Sequence, residues 1–235
     1  MCVLSNHWHL IATDPAGTLP RFLQWVHEYI AKCVNTVCGR WENMWSSEST
    51  SVVRLEGDED VIDKIVYCLA NPVSAGLVAH GDKWPGVRSS AMDLAGTTYE
   101  VERPGIFFRE DGAMPAVATL RFARPEICPA LSSEELAERV AAVLAEREAA
   151  VRDAHARAGV PFLGVRGIRR QKRTDRPAAS ERRRKLSPRI AAKDRGRRLA
   201  AMMAGLLASA RAQELAFHTN LGRGCSSPQS CGFRG

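Results

Sequence analysis

The chain has 235 residues, 45% of them hydrophobic and 25% charged, enough to bury a real core and ordinary for a soluble globular protein of one or two domains. No run approaches the roughly 20 apolar residues of a membrane span. The opening MCVLSNHWHL lacks the basic-then-apolar order of a secretory leader, so the expected compartment is the cytoplasm, with no membrane partner.

The net charge of +7 is unevenly spread: 15 Lys and Arg against 3 acids fall between Arg166 and Arg198, a local balance of +12 that leaves −5 for the remainder. Such a concentrated basic segment fits a polyanion partner or a solvated linker. Its candidate polyanion-contacting residues are Arg166, Arg169, Arg170, Lys172, Arg173, Arg182, Arg183, Arg184 and Lys185. The seven cysteines (2, 33, 38, 68, 128, 225, 231) form no CxxC pair and are odd in number, which favours buried or free thiols over a disulfide framework or zinc site.

In chain order, Val3 to Thr13 reads as two short strands around a turn. Leu19, Phe22, Leu23, Val26, Ile30, Val34 and Val37 then recur at helical spacing, with Thr18 as the expected cap, Pro20 in the first turn and Gly39 at the end. Residues 41–51 read as a loop, in which Trp41 and Trp45 either pack or stack on exposed bases. Ser51 to Leu55 predicts a strand, and Gly57-Asp58 opens a second helix with Val61, Ile62, Ile65, Val66 and Leu69 inward. That helix is expected to stop near Asn71, because a following proline pushes a residue out of helical geometry.

The stretch from Lys83 to Pro125 reads as irregular. Ser132 with Glu135 resembles a capping box for a helix carrying Leu136, Val140, Val143, Leu144 and Val151 and closed by Gly159. A further helix is expected from Ser187-Pro188, and the tail from about Asn220 reads as disordered.

Two features carry chemistry. His7 and His9 are one residue apart at the start of a strand, so alternation sends both imidazoles to one face and Trp8 to the other. Side by side they form half of a divalent-metal site, or simply two polar-face histidines. Tyr67 and Asn71 are four apart on the second helix and share a face. The amide oxygen of Asn71 can complete a ligand set with the Tyr67 phenol one turn away; otherwise Tyr67 is a half-buried aromatic.

Taken together, Ser5-Asn6-His7-Trp8-His9-Leu10, the helix and strand after it, Tyr67-Cys-Leu-Ala-Asn71-Pro72-Val-Ser-Ala-Gly76-Leu-Val and Trp84-Pro85 resemble the REP-associated tyrosine transposases, single-tyrosine HUH transposases of bacterial insertion sequences. The match covers about residues 2–90. The resemblance implies that His7, His9 and Asn71 hold a divalent cation, magnesium or manganese, and that Tyr67 is the nucleophile toward single-stranded or hairpin DNA, in a monomer or homodimer.

The resemblance also implies an α+β fold: a ferredoxin-like antiparallel sheet backed by helices, the HUH palm, followed by a mostly helical basic C-terminal region. The family's first strand and helix precede the HUH strand, where this chain has almost no residues, so the expected catalytic domain (1–90) lacks them. An irregular extension (91–130), a helical basic DNA-binding region (131–217) and a disordered tail (218–235) are expected to follow.

The implied activity is cleavage and rejoining of single strands through a 5′-phosphotyrosine link, in a cytoplasmic protein that is nucleoid-associated when bound to DNA. An inactive remnant that only binds nucleic acid is the alternative. A metal-dependent hydrolase of small substrates explains the histidines but not Tyr67 in its context or the basic segment.

Overall fold

The computed structural model describes residues 1–45, 50–55, 57–172 and 189–191. It is an α+β arrangement of helices with small antiparallel sheets. Strands β1 (Cys2–Val3) and β2 (Trp8–His9) form a tight hairpin with Cys2 opposite His9 and Val3 opposite Trp8, closed by the Leu4 N–H donating to the His7 carbonyl at 2.8 Å. The outer side of β1 is satisfied by residues 87–89: Val3 N–H donates to the Val87 carbonyl and Ser89 N–H to the Met1 carbonyl, both at 2.8 Å.

Helix α1 (Leu19–Cys38) ends as expected on Gly39, whose φ of 59° is the left-handed conformation glycine adopts without strain. Its start differs from expectation. Thr18 makes no side-chain cap; instead the Asp14 carboxylate accepts the N–H groups of Thr18 (2.8 Å) and Leu19 (3.0 Å). A carboxylate reaches further than a hydroxyl and is favoured by the helix dipole, and these bonds hold the Asp14 carboxyl below its ordinary range, the Leu19 N–H most of all.

Strand β3 (Val53–Leu55) leads into helix α2 (Asp58–Ser74). The expected stop at Asn71 is overturned: α2 runs through Pro72 to Ser74. Proline costs the helix one hydrogen bond there, but Pro72 and Val73 are fully buried. The end is satisfied by Ala75 N–H on the Asn71 carbonyl (2.9 Å) and Leu77 N–H on the Pro72 carbonyl (3.0 Å). Burial of the two side chains outweighs the lost bond.

The stretch expected to be irregular contains two short 3-10 turns, Gly81–Lys83 and Ala91–Ala95, and a hairpin of β4 (Thr98–Glu102) and β5 (Val117–Arg121). Helix α3 (Ser133–Ala158) begins at the expected capping box: Glu135 N–H reaches Ser132 Oγ (3.1 Å) and Ser132 N–H reaches Glu135 Oε2 (2.7 Å). A short helix α4 (Gly164–Arg170) comes next, and Arg189–Ala191 is the last described strand.

The core lies where α2 meets α3. Val61, Ile62, Ile65, Val66 and Leu69 pack with Ala91, Cys128, Leu136 and Val140. The α2 and α3 members are inward positions that helical periodicity selected; Ala91 and Cys128, outside those helices, are not among them. Arg139 on Glu59 (2.6 Å) and Arg147 on Asp63 (2.8 Å) tie the two helices at the rim of that core.

Asp63 also accepts from Lys64 at 2.9 Å, and the Arg147 bond, then the Lys64 bond, hold its carboxyl below the ordinary carboxylate range. A depressed folded-state value contributes stability above the unfolded-state value, near ~3.9, and loses it as pH falls through the folded one. Asp63→Asn therefore lowers the urea midpoint at pH 7, and the gap to wild type closes on acidification from about pH 5 to about pH 2. The half-exposed pair keeps the effect below ~1 kcal/mol. Urea titrations at both pH values check it; a gap that widens in acid sinks it.

No helix among the described residues is long and apolar enough to cross a membrane.

Candidate active site on the hairpin and helix α2

The β1–β2 hairpin is clamped before any functional side chain is placed. Cys2 and Leu4 are buried with Cys68 of α2, and Trp84 Nε1–H donates to the Val3 carbonyl at 3.0 Å. Met1 joins through its amino group to Ser89 Oγ (2.9 Å). On the α2 side, Cys68 Sγ lies 3.7 Å from the His9 carbonyl oxygen. These contacts fix the register of β2 against α2.

Alternation then works as the sequence implies. Trp8 turns toward α1, its ring edge-on to His27 at 5.6 Å between centroids, and Trp45 closes on His27 at 4.6 Å while donating Nε1–H to the His27 carbonyl. Trp45 is thus a packing residue, whereas Trp41 is 92% exposed.

His7 and His9 face the other way, 4.9 Å apart between ring centroids and nearly perpendicular. The His9 ring meets the Tyr67 ring at 5.4 Å, again edge to face, and His9 Nε2 lies 3.0 Å from Asn71 Nδ2. The structure thus brings His7, His9, Tyr67 and Asn71 together, from segments about 60 residues apart in the chain. Asn71 is buried, inside α2 rather than at its end, and Tyr67 is 48% exposed, so its phenol is open to a large substrate.

The environment of His9 suits ligation. Burial, and then the neighbouring His7, push the His9 imidazole below its ordinary value, which favours the neutral ring with a free lone pair. His7 Nδ1 lies 2.7 Å from Asn6 Oδ1, a contact that orients the His7 ring. Rotation of the Asn71 amide by half a turn exchanges its nitrogen for its oxygen.

Two imidazole nitrogens and an amide oxygen are therefore a donor set that a divalent cation accepts. Among the described residues no group of three or more His, Cys, Asp and Glu is placed to hold a metal ion. The nearby thiols do not compete as anions. Burial, then Cys68, pushes Cys2 up to about 11, and burial raises Cys68.

Two neighbours in the site have roles that sequence reasoning missed. Asn6 enters that reasoning only as part of the motif. Lys64, one turn before Tyr67, sets its ammonium 5.9 Å from the Tyr67 ring centroid; its i, i+3 spacing was the available signal.

Of the basic candidates, Arg166, Arg169 and Arg170 lie on α4 and Lys172 just beyond it, while Arg173, Arg182, Arg183, Arg184 and Lys185 lie outside the described residues. The expected helix after Ser187-Pro188 (apart from the Arg189–Ala191 strand) and the tail from Asn220 also lie outside them. Helix α4 starts where α2 finishes. Leu163 N–H donates to the Gly76 carbonyl and Gly164 N–H to the Leu77 carbonyl, both at 2.9 Å. Gly76 has a φ of 68°, and a Cβ there would come within 3.1 Å of the His155 ring, so the turn needs glycine.

No family model, curated protein or solved structure matches the chain.

Proposed function

We propose that this chain is a single-tyrosine strand transferase of the HUH type, acting on single-stranded or hairpin DNA. The observation that carries the reading is the convergence of the His9 ring with the Tyr67 ring at 5.4 Å and with the Asn71 amide at 3.0 Å. Metal ligation explains the paired imidazoles, and nucleophilic attack explains an exposed phenol beside them.

In this reading His7, His9 and Asn71 hold magnesium or manganese. When bound, the cation would neutralise phosphate charge and favour the phenolate. Tyr67 Oη attacks the phosphorus in line with the 3′ oxygen. The Oη–P bond forms, the P–O3′ bond breaks, and the phenolic proton ends on the departing 3′-hydroxyl.

The 5′-phosphotyrosyl link keeps the energy of the broken bond, so attack by another 3′-hydroxyl rejoins DNA without ATP. Lys64 offers a cation to the phosphate oxygens beside Tyr67. The basic residues of α4, docked on the end of α2, follow the DNA backbone together with the remaining arginines and lysines of that segment.

The test uses a hairpin oligonucleotide labelled on the 3′ side of the candidate cleavage site, with magnesium, manganese or chelator. The expected result is a metal-dependent covalent adduct on a denaturing gel, mapping to Tyr67. Salt-sensitive binding with no adduct in either metal overturns it in favour of a non-catalytic DNA-binding remnant, and turnover of a small phosphodiester without DNA cleavage favours a hydrolase.

A further inference from the structure

The β4–β5 hairpin is exposed at all of its strand positions, an unusual state for a two-stranded ribbon, which is marginal in water by itself. Its register fixes which backbone groups are spent. Arg103 N–H donates to the Ala116 carbonyl and Phe122 N–H to the Thr97 carbonyl. Alternation along the ladder then makes Tyr99–Leu120 and Val101–Ala118 the hydrogen-bonded pairs. The N–H and C=O groups of Thr98, Glu100 and Glu102 point outward from β4, and those of Val117, Thr119 and Arg121 from β5.

No other strand is paired along either edge among the described residues. An open edge of this kind is a template for another strand.

The two edges differ in charge. The β4 edge carries Glu100 and Glu102, so two copies of it would set carboxylates against each other. The β5 edge reads Val117-Ala-Thr-Leu-Arg121, rich in strand-forming residues and free of acids. Set antiparallel against itself about Thr119, it pairs Thr119 with Thr119 of the second copy and Val117 with Arg121. Every outward amide and carbonyl of β5 is then satisfied.

In the same register the Arg121 side chain of the second copy lies on the face that carries Glu102, across Val117, which is paired with Glu102 in the hairpin. Basic meets acidic on that face. On the opposite face Tyr99, Val101, Ala118 and Leu120 of both copies run on as one apolar surface. We infer that β5 is a homodimerisation edge, through which two copies of this chain join their hairpins into a four-stranded antiparallel sheet. It does not depend on the chemistry at Tyr67.

The test exploits the direction of the Thr119 N–H. It faces away from β4, so Thr119→Pro removes no bond of the hairpin, yet takes away the central donor of the proposed junction. Sedimentation equilibrium of the full chain is expected to give the dimer mass for wild type and about half that mass for Thr119→Pro at the same concentration. Glu100→Pro, the matching change on the other edge, is expected to leave the dimer intact.

Hydrogen exchange adds an independent readout: the Val117, Thr119 and Arg121 amides gain protection as concentration rises, and the circular dichroism of both variants stays that of wild type. A chain monomeric at every concentration overturns the inference. So does a dimer that survives Thr119→Pro, or protection of those amides in a strict monomer, which would mean that another segment of the chain covers the edge.

Discussion

Tyr67→Phe is expected to abolish the covalent DNA adduct and to lower strand cleavage by at least ~10³-fold, the scale seen when an enzyme loses its nucleophile, while DNA affinity stays within about twofold. The chain has three tyrosines, so the alternatives can be stated. Tyr99 Oη donates to Asp93 Oδ1 at 2.9 Å, and that bond, with burial and the carboxylate charge, raises its phenol above the ordinary value and leaves it a poor nucleophile. Tyr29 lies in an aromatic row with Trp25 and Phe108.

Only Tyr67 sits against an imidazole that can ligate a metal. The substitution removes one oxygen from a side chain that is already half exposed, so the fold should lose less than ~0.5 kcal/mol. In the proposed function, affinity comes from the basic residues and their release of counterions, which the change leaves alone. Denaturing gels with a labelled hairpin, alongside filter binding at two salt concentrations, separate the effects. An adduct of undiminished yield from Tyr67→Phe would falsify the assignment and point to Tyr29 or Tyr99.

How far the sequence was legible depends on the range of the forces involved. Period-2 alternation at His7-Trp8-His9 and the four-residue step from Tyr67 to Asn71 are local geometry, and both hold in the structure. The meeting of hairpin and helix is long-range. It depends on Cys2, Leu4 and Cys68 being buried together and on Trp84 reaching the Val3 carbonyl, contacts that no spacing rule encodes. Only the resemblance of the whole motif series suggested it.

The β4–β5 hairpin was missed for a different reason. Thr98–Glu102 alternates like a strand, but its partner begins at Val117, after a connection far longer than the two-residue turns that signal a hairpin. Arg103 closes that connection, donating to the carbonyls of Met114 at 2.5 Å and Glu110 at 2.8 Å, and arginine is not a turn signal. The run of α2 through Pro72 was hidden because the rule for residues before proline weighs backbone sterics, not the burial of Pro72 and Val73 themselves.

The largest loss of stability is expected from Leu136→Ala. Leu136 has no exposed surface and is among the largest fully buried side chains. It stands on the first turn of α3, one residue past the Ser132–Glu135 capping box, so its backbone is pinned and cannot collapse into the space left. Across it lie Val61, Ile62, Ile65 and Val66 of α2, within the same core cluster. Truncation at so constrained a site belongs toward the upper part of the ~2–5 kcal/mol range for Leu→Ala, a large share of the ~5–15 kcal/mol that holds a typical domain.

Leu136→Met, which nearly preserves volume, should cost under ~1.5 kcal/mol. Urea titration followed by circular dichroism measures both, with an unchanged m-value expected. Because Val66 precedes Tyr67 on α2, a cavity behind Val66 also loosens the helix that carries the phenol, so adduct yield should fall with Leu136→Ala and recover with Leu136→Met. A loss below ~1 kcal/mol for the alanine variant would mean that α3 does not back α2 as described, and that the phenol is held in place by the β1–β2 hairpin alone.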